Sequence, residues 1–271
     1  CRDTETTGAD SEWEAAELTT SSPESSRVDD ARTVDFASHE PIVLRGVGAD
    51  WPVFAALREE RLREDAERPV EVEELDGTST TVSLGELLDD MRASRPRGLY
   101  MRHQLVSKFD PGLWELVPRH VRRLNWLLAL PAEARPDWAW LMIGAAGTRS
   151  DMHVDVMASA AWNLLCAGCK KWTFHSRDRA VEWNLLPAGC AEPSEDARCV
   201  EFFQEPGDVV ITPSGWAHEV HNVTGTVSVT ANFVNASNLD FAKRYFEVVG
   251  DAANLGVLAA VGEAFSRLGN D

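Results

Sequence analysis

Long apolar runs and clusters of basic residues are both missing from this chain. Lys and Arg number 26 against 44 Asp and Glu, which gives a formal net charge of −18 and a pI near 4.8. Affinity for a phosphate backbone rests on neutralising basic side chains, so nucleic acid is not expected as a partner. No segment approaches the roughly 18 apolar residues that span a bilayer, and no basic region leads into an apolar one at the N-terminus. No membrane is expected as a partner, and the expected location is intracellular, in cytoplasm or nucleus. Cysteine is scarce as well. Five of them in 271 residues, an odd number, do not make a disulfide scaffold and fit a reducing compartment. What the chain does have is 44% hydrophobic residues and ten Trp, enough for a sizeable core.

Residues 1–32 are rich in Asp, Glu, Ser and Thr with one aromatic, Trp13, and are expected to be an acidic disordered leader. A single folded domain is expected over 33–271. Its first half alternates short apolar segments with helical ones: a strand at Pro41 to Gly46, a helical stretch to Glu64, a strand from Val70 to Leu75, a helix capped by Ser83, a strand at Gly98 to His103, helical texture over 111–130 and a strand from Trp138 to Ile143. From Met152 to Val234 short strands are separated by Gly, Pro and Asn turns. Ala160 to Leu165 and Lys170 to Phe174 read as one hairpin, and Trp216 to His221 with Thr226 to Val234 as a second. Residues 177–200 read as an irregular insertion, and Leu239 to Leu268 as helical, with Phe241, Tyr245, Val248 and Val249 on an apolar stripe. Many short strands with flanking helices imply a small β-barrel or sandwich.

His153-Val154-Asp155 puts two metal-capable side chains at i and i+2 on one face of an extended segment, and His218 follows on another strand. Two His and a carboxylate leave open positions on an octahedral metal. In the hairpins as read, Lys170 shares a face with Asn163, and Thr226, Ser228, Thr230 and Asn232 all point one way. A lysine and several polar residues facing the same interior as the His-Asp-His set make a pocket for an anion beside a metal. Cys166, Cys169, Cys190 and Cys199 could hold a structural zinc, although the spacing of the second pair is poor for it.

Taken together, Asp151-Met-His-Val-Asp155, Ala161-Trp-Asn163 with Lys170-Lys-Trp172, Pro206-Gly-Asp208, Pro213-Ser-Gly-Trp216, Ala217-His218 and Val229-Thr-Ala-Asn-Phe233 resemble a Jumonji-C (JmjC) oxygenase of the cupin superfamily. Val220-His-Asn222 and Phe233-Val-Asn-Ala-Ser-Asn-Leu239 are most similar to its small protein-hydroxylase branch, which contains the lysyl hydroxylases. The resemblance implies a mainly β, double-stranded β-helix (jelly-roll) domain with C-terminal helices. It implies Fe(II) on His153, Asp155 and His218, 2-oxoglutarate as cosubstrate with Lys170 on its far carboxylate, and dioxygen as oxidant. Asn163 and Thr230 then match neighbours of that carboxylate, Ser150 and Tyr100 are further contributors, and Asn232 lies near iron and cosubstrate. The implied activity is hydroxylation of a protein side chain, lysyl by first choice, releasing succinate and CO2. A demethylase, an RNA-modifying hydroxylase and a catalytically silent cupin scaffold are the alternatives. The resemblance also implies that the C-terminal helices pack either on a second copy, as a homodimer, or on the chain's own barrel.

Overall fold

A computed structural model describes Phe36, residues 38–191 and residues 198–268, so the leader expected over 1–32 lies outside the described residues. Twelve strands lie in two antiparallel sheets among the described residues. In chain order they are β1 (Ile42–Leu44), β2 (Pro69–Glu73), β3 (Ser79–Ser83), β4 (Tyr100–Leu105), β5 (Ala139–Gly144), β6 (Arg149–His153), β7 (Ala160–Ala167), β8 (Lys170–His175), β9 (Cys199–Gln204), β10 (Val209–Thr212), β11 (Ala217–Asn222) and β12 (Thr226–Phe233). The larger sheet runs β1-β10-β7-β12-β5-β4-β2-β3, the smaller β6-β11-β8-β9. From β5 onward the chain crosses between the sheets at almost every connection, the jelly-roll pattern of a double-stranded β-helix.

That crossing corrects both expected hairpins. β7 pairs with β10 and β12, and β8 with β11 and β9, so 166–169 carries the chain from one sheet to the other. The 223–225 connection does the same between β11 and β12. Both turns are as short as hairpin turns because they lie against each other: Cys169 N–H donates to Thr224 Oγ1 at 2.9 Å and Val223 N–H to the Cys169 carbonyl at 2.9 Å. Gly168 is required there. Its φ is 84°, and a Cβ would sit 2.0 Å from the Gly225 carbonyl oxygen.

Alternation along β12 explains how one strand serves both the core and the interior. Val227, Val229, Ala231 and Phe233 join Leu141, Ile143, Trp162 and Leu164 against an N-terminal helical layer that includes Trp51, Leu57, Leu84, Leu87, Leu88 and Val121. Removing a leucine from such a core costs about 2–5 kcal/mol. The other parity, Thr226, Ser228, Thr230 and Asn232, turns away from that layer and is nonetheless largely buried, so its polarity does not arise from solvent exposure. Between the sheets a second aromatic core forms from Trp172, Phe174, Val210, Trp216 and Val220.

Local signals place the elements that carry the site. Helix α1 (Leu84–Arg92) starts at a capping box, with Ser83 Oγ accepting from Glu86 N–H and the Glu86 carboxylate accepting from Ser83 N–H. Asp90 on α1 then accepts from the backbone N–H groups of Arg97, Gly98 and Leu99, fixing the approach to β4 and Tyr100. Asp208 accepts from Gly46 N–H and pairs with Arg45 at 2.6 Å, which ties the Pro-Gly-Asp turn to β1. The tail forms α2 (Leu239–Val249) and α3 (Ala252–Leu268), broken at Gly250 with φ 75°. Its buried stripe runs through Leu239, Phe241, Ala242 and Phe246, whereas Val248 and Val249 are exposed. Strand β3 falls in a stretch for which no element was expected, β9 begins at the end of the expected insertion and runs past it, and 111–130 is three short helical turns. No described helix is long and apolar enough to cross a membrane.

Candidate metal and anion site

His218 on β11 is paired directly with His153 on β6, so the two imidazoles meet with ring centroids 4.3 Å apart. A register shift between His218 and Val220 breaks the ladder just beyond that pair, the kind of irregularity that re-aims a side chain. Asp155 lies two residues past His153 in extended backbone, φ −59° and ψ 156°. Ligand-capable atoms of His153, Asp155 and His218 lie within 4.8 Å of one another, the only such group of three or more among the described residues.

Several details fit this set to a cation. His153 Nδ1 is 2.7 Å from the Asp151 carbonyl and His218 Nδ1 is 3.2 Å from the Trp216 carbonyl. Each carbonyl takes the Nδ1 proton and leaves the Nε2 lone pair free, the arrangement by which outer partners orient metal-binding imidazoles. Burial pulls the His218 pKa down to about 4 against the opposing pull of Asp155, so the ring is neutral and a competent donor at physiological pH. Trp172 and Phe174 stack near it at 5.8 and 5.4 Å. Asp155 Oδ2 is buried without any hydrogen-bond partner, and a buried carboxylate oxygen left unpaired is costly unless a cation completes it.

All nine residues expected at the site line one cavity of about 490 Å³: His153, Asp155, His218, Lys170, Asn163, Thr230, Asn232, Ser150 and Tyr100. Lys170 is 1% exposed and has no acidic partner among the described residues. Burial lowers its pKa from the ordinary 10.5 to about 7, with nearby Cys166 opposing weakly. Lys171, one residue on, points outward and pairs with Glu201 at 3.0 Å. The two lysines thus divide as their alternation along the strand requires, although β8 is not the hairpin partner of β7. Tyr100 Oη lies 3.3 Å from Ser150 Oγ, and burial pushes its phenol up, so it is a neutral hydrogen-bonding group. Thr230 donates to the Trp162 carbonyl at 2.7 Å.

Three contributors were not picked out from the sequence. Gln204 on β9, fully buried, accepts from Trp172 Nε1 at 2.8 Å and donates to the Asn163 carbonyl at 3.0 Å, joining the two sheets behind the anion end. Asn222 lies opposite Lys170 on β11 and donates to Thr148 Oγ1 at 2.8 Å, while its Oδ1 is buried and unpaired. Ser159 accepts from Asn232 Nδ2 at 3.0 Å. The alternation of Asn222 with Val220 could have flagged that residue, whereas Gln204 sits on a strand that was not anticipated. Of the four cysteines considered for zinc, Cys166 and Cys190 are buried in separate cores and Cys199 is exposed beside His175, so no thiolate cluster forms.

Comparison with known proteins agrees with this geometry. The JmjC domain family, described as a hydroxylase, matches residues 191–233, a span that includes His218, Thr230 and Asn232. The chain is 25% identical over 231 residues to the lysine-specific demethylase JMJ21 of Arabidopsis thaliana, covering 76% of this chain and 24% of that protein. It is 27% identical over 232 residues to the arginine-specific demethylase JMJ22 of the same plant, covering 74% and 43%. Against the human 2-oxoglutarate and iron-dependent oxygenase JMJD4 the identity is 32% over 126 residues, covering 41% and 30%. The chain therefore spans less than half the length of these relatives. The two-sheet jelly roll, the convergent His-Asp-His set and these matches all point the same way: the chain is similar to the JmjC domain family.

Proposed function

We propose that the chain is an Fe(II)- and 2-oxoglutarate-dependent oxygenase that hydroxylates a protein side chain, lysyl by first choice. The observation that carries this reading is the pairing, in one cavity, of three convergent metal-type donors with a buried lysine that has no acidic partner. His153, Asp155 and His218 would hold the metal. Bound iron with its cosubstrate supplies the oxidising power for breaking a C–H bond, which no side chain here possesses.

The residues of the chain do the rest. Lys170 neutralises the far carboxylate of a dicarboxylate, with Asn163, Thr230, Ser150 and Tyr100 lining the same end. Asn232 lines the same cavity. The ring stack of Trp172 and Phe174 behind His218 excludes water and keeps the imidazole unprotonated. Trp140, Met142, Met152 and Val156 line the apolar part of the cavity, where a side-chain substrate would enter.

Demethylation is the second reading, favoured by the names of the Arabidopsis relatives. It uses the same hydroxylation, placed on an N-methyl carbon, after which the hydroxymethyl amine releases formaldehyde. The catalytic unit of this proposal is 33–271, and the exposed Val248, Val249 and Val257 on α2 and α3 suit a homodimer. The test is turnover without substrate: protein with Fe(II), ascorbate and 2-oxoglutarate forms succinate above a His218→Ala control. Equal succinate from both proteins refutes the oxygenase reading. With candidate peptides, a 16 Da gain marks hydroxylation and formaldehyde marks demethylation.

A further inference from the structure

Immediately after Asp155 the backbone does something unusual. Met157 and Ala158 are both left-handed, with φ of 55° and 49°, and neither is glycine. Such backbone is strained for L side chains and persists only where its surroundings hold it in place. Here they do so from three sides. Ala158 N–H donates to the Asp155 carbonyl at 2.9 Å, and the Val156 carbonyl accepts from both Ser159 N–H at 3.0 Å and Ser159 Oγ at 2.7 Å. Asn232 Nδ2, from the middle of the larger sheet, then donates to Ser159 Oγ at 3.0 Å. Met157 packs against a cluster containing Leu239, Phe246 and Leu258, and Ala158 against one containing Phe241 and Ala217, the residue preceding His218.

We propose that Ser159 and Asn232 are positioning residues for Asp155, holding the strained turn so that its carboxylate stays beside the two histidines. This rests on the metal reading of the site given above. The hydrogen bonds run in one continuous line, from β12 through Asn232 and Ser159 to the carbonyl of the residue that follows Asp155. Asn232 thus reaches the metal site through the backbone of the residue next to a ligand, in addition to lining the cavity. The same turn presents Val156 at the cavity wall, and packing of Met157 and Ala158 against α2 ties the ligand to the C-terminal helices. Outer partners of metal ligands commonly change metal affinity by about 10- to 100-fold when removed.

The experiment titrates the metal-free protein with Co(II) alone, followed by visible absorption, with thermal unfolding in parallel. Ser159→Ala and Asn232→Ala should each weaken Co(II) binding about tenfold or more. Adding Ala158→Gly to Ser159→Ala should recover most of that loss, because glycine adopts left-handed backbone without strain. If Ser159→Ala does not fold, Asn232→Ala gives the same reading from the other end of the line. A lower unfolding temperature with Co(II) affinity within twofold of wild type overturns the proposal and leaves the metal site standing. A second variant no tighter than Ser159→Ala also overturns it, since the bonds would then not be opposing strain. Wild-type protein that fails to bind Co(II) overturns the metal reading and this proposal together.

Discussion

Replacing Lys170 with methionine should stabilise the ligand-free protein at neutral pH while abolishing its affinity for dicarboxylates. The lysine is buried without an acidic partner, and its pKa falls from 10.5 to about 7. Below pH 7 the folded and unfolded chains both carry the proton, and the fold bears the full cost of the buried charge, about 5 kcal/mol for a fall from 10.5 to about 7. Between pH 7 and 10.5 the unfolded chain binds a proton that the folded chain does not, so stability rises with pH, by about 2 kcal/mol from pH 7 to 9. Lys170→Met removes this pH-dependent component. Urea unfolding at pH 7 and pH 9 should show wild type gaining about 2 kcal/mol more than the variant over that interval, with the variant the more stable at pH 7. A carboxylate that binds opposite the lysine restores its charge, so above pH 7 2-oxoglutarate should bind with uptake of close to one proton. Calorimetry in two buffers of different ionisation enthalpy measures that uptake directly. Identical pH slopes for the two proteins, or dicarboxylate binding by the variant at wild-type affinity, would refute the assignment of this lysine.

His218→Ala should lose Co(II) binding by at least 100-fold and all succinate formation while still melting cooperatively, because the strand is held by its apolar neighbours; near wild-type binding in a titration refutes its role as a ligand. Asp90→Ala strips the acceptor from three backbone N–H groups ahead of β4 and should cost about 3 kcal/mol in urea unfolding, and a loss below about 1 kcal/mol refutes the importance of that turn. At Gly144 a Cβ would lie 2.5 Å from Asn222 Nδ2 and 2.8 Å from both Thr148 Oγ1 and Tyr100 Cδ2. Gly144→Ala should therefore destabilise by about 1–3 kcal/mol and weaken 2-oxoglutarate binding, and unchanged binding would mean that the Tyr100 side of the cavity does not contact it. Light scattering on wild type and on Val249→Glu with Val257→Glu tests the homodimer: a dimer that becomes a folded monomer supports it, and a monomeric wild type refutes it.

Chemistry was more legible in the sequence than connectivity was. His153 and Asp155 at i and i+2, His218 on a strand, and the opposite fates of Lys170 and Lys171 all follow from side-chain alternation within one extended segment, which needs no knowledge of the neighbouring strand. The Ser83 cap is likewise local, whereas the break at Gly250 was not expected within the helical tail. Which strand pairs with which is not local: a tight turn ending in a left-handed glycine serves a hairpin and a crossing between sheets equally well, and only burial of both faces of β7 and β12 selects the crossing. Gln204 behind Asn163, Asn222 opposite Lys170, and the line from Asn232 to the turn after Asp155 join residues 41, 52 and 73 or more positions apart, or tie together elements of different sheets. The sequence by itself determined the candidate donor types, their parity and the polar inner face. Tertiary structure alone decided the strand partners, the burial that leaves Lys170 without a counter-charge, and the strained turn at Met157 and Ala158, because pairing, desolvation and strain arise only when distant segments are packed together.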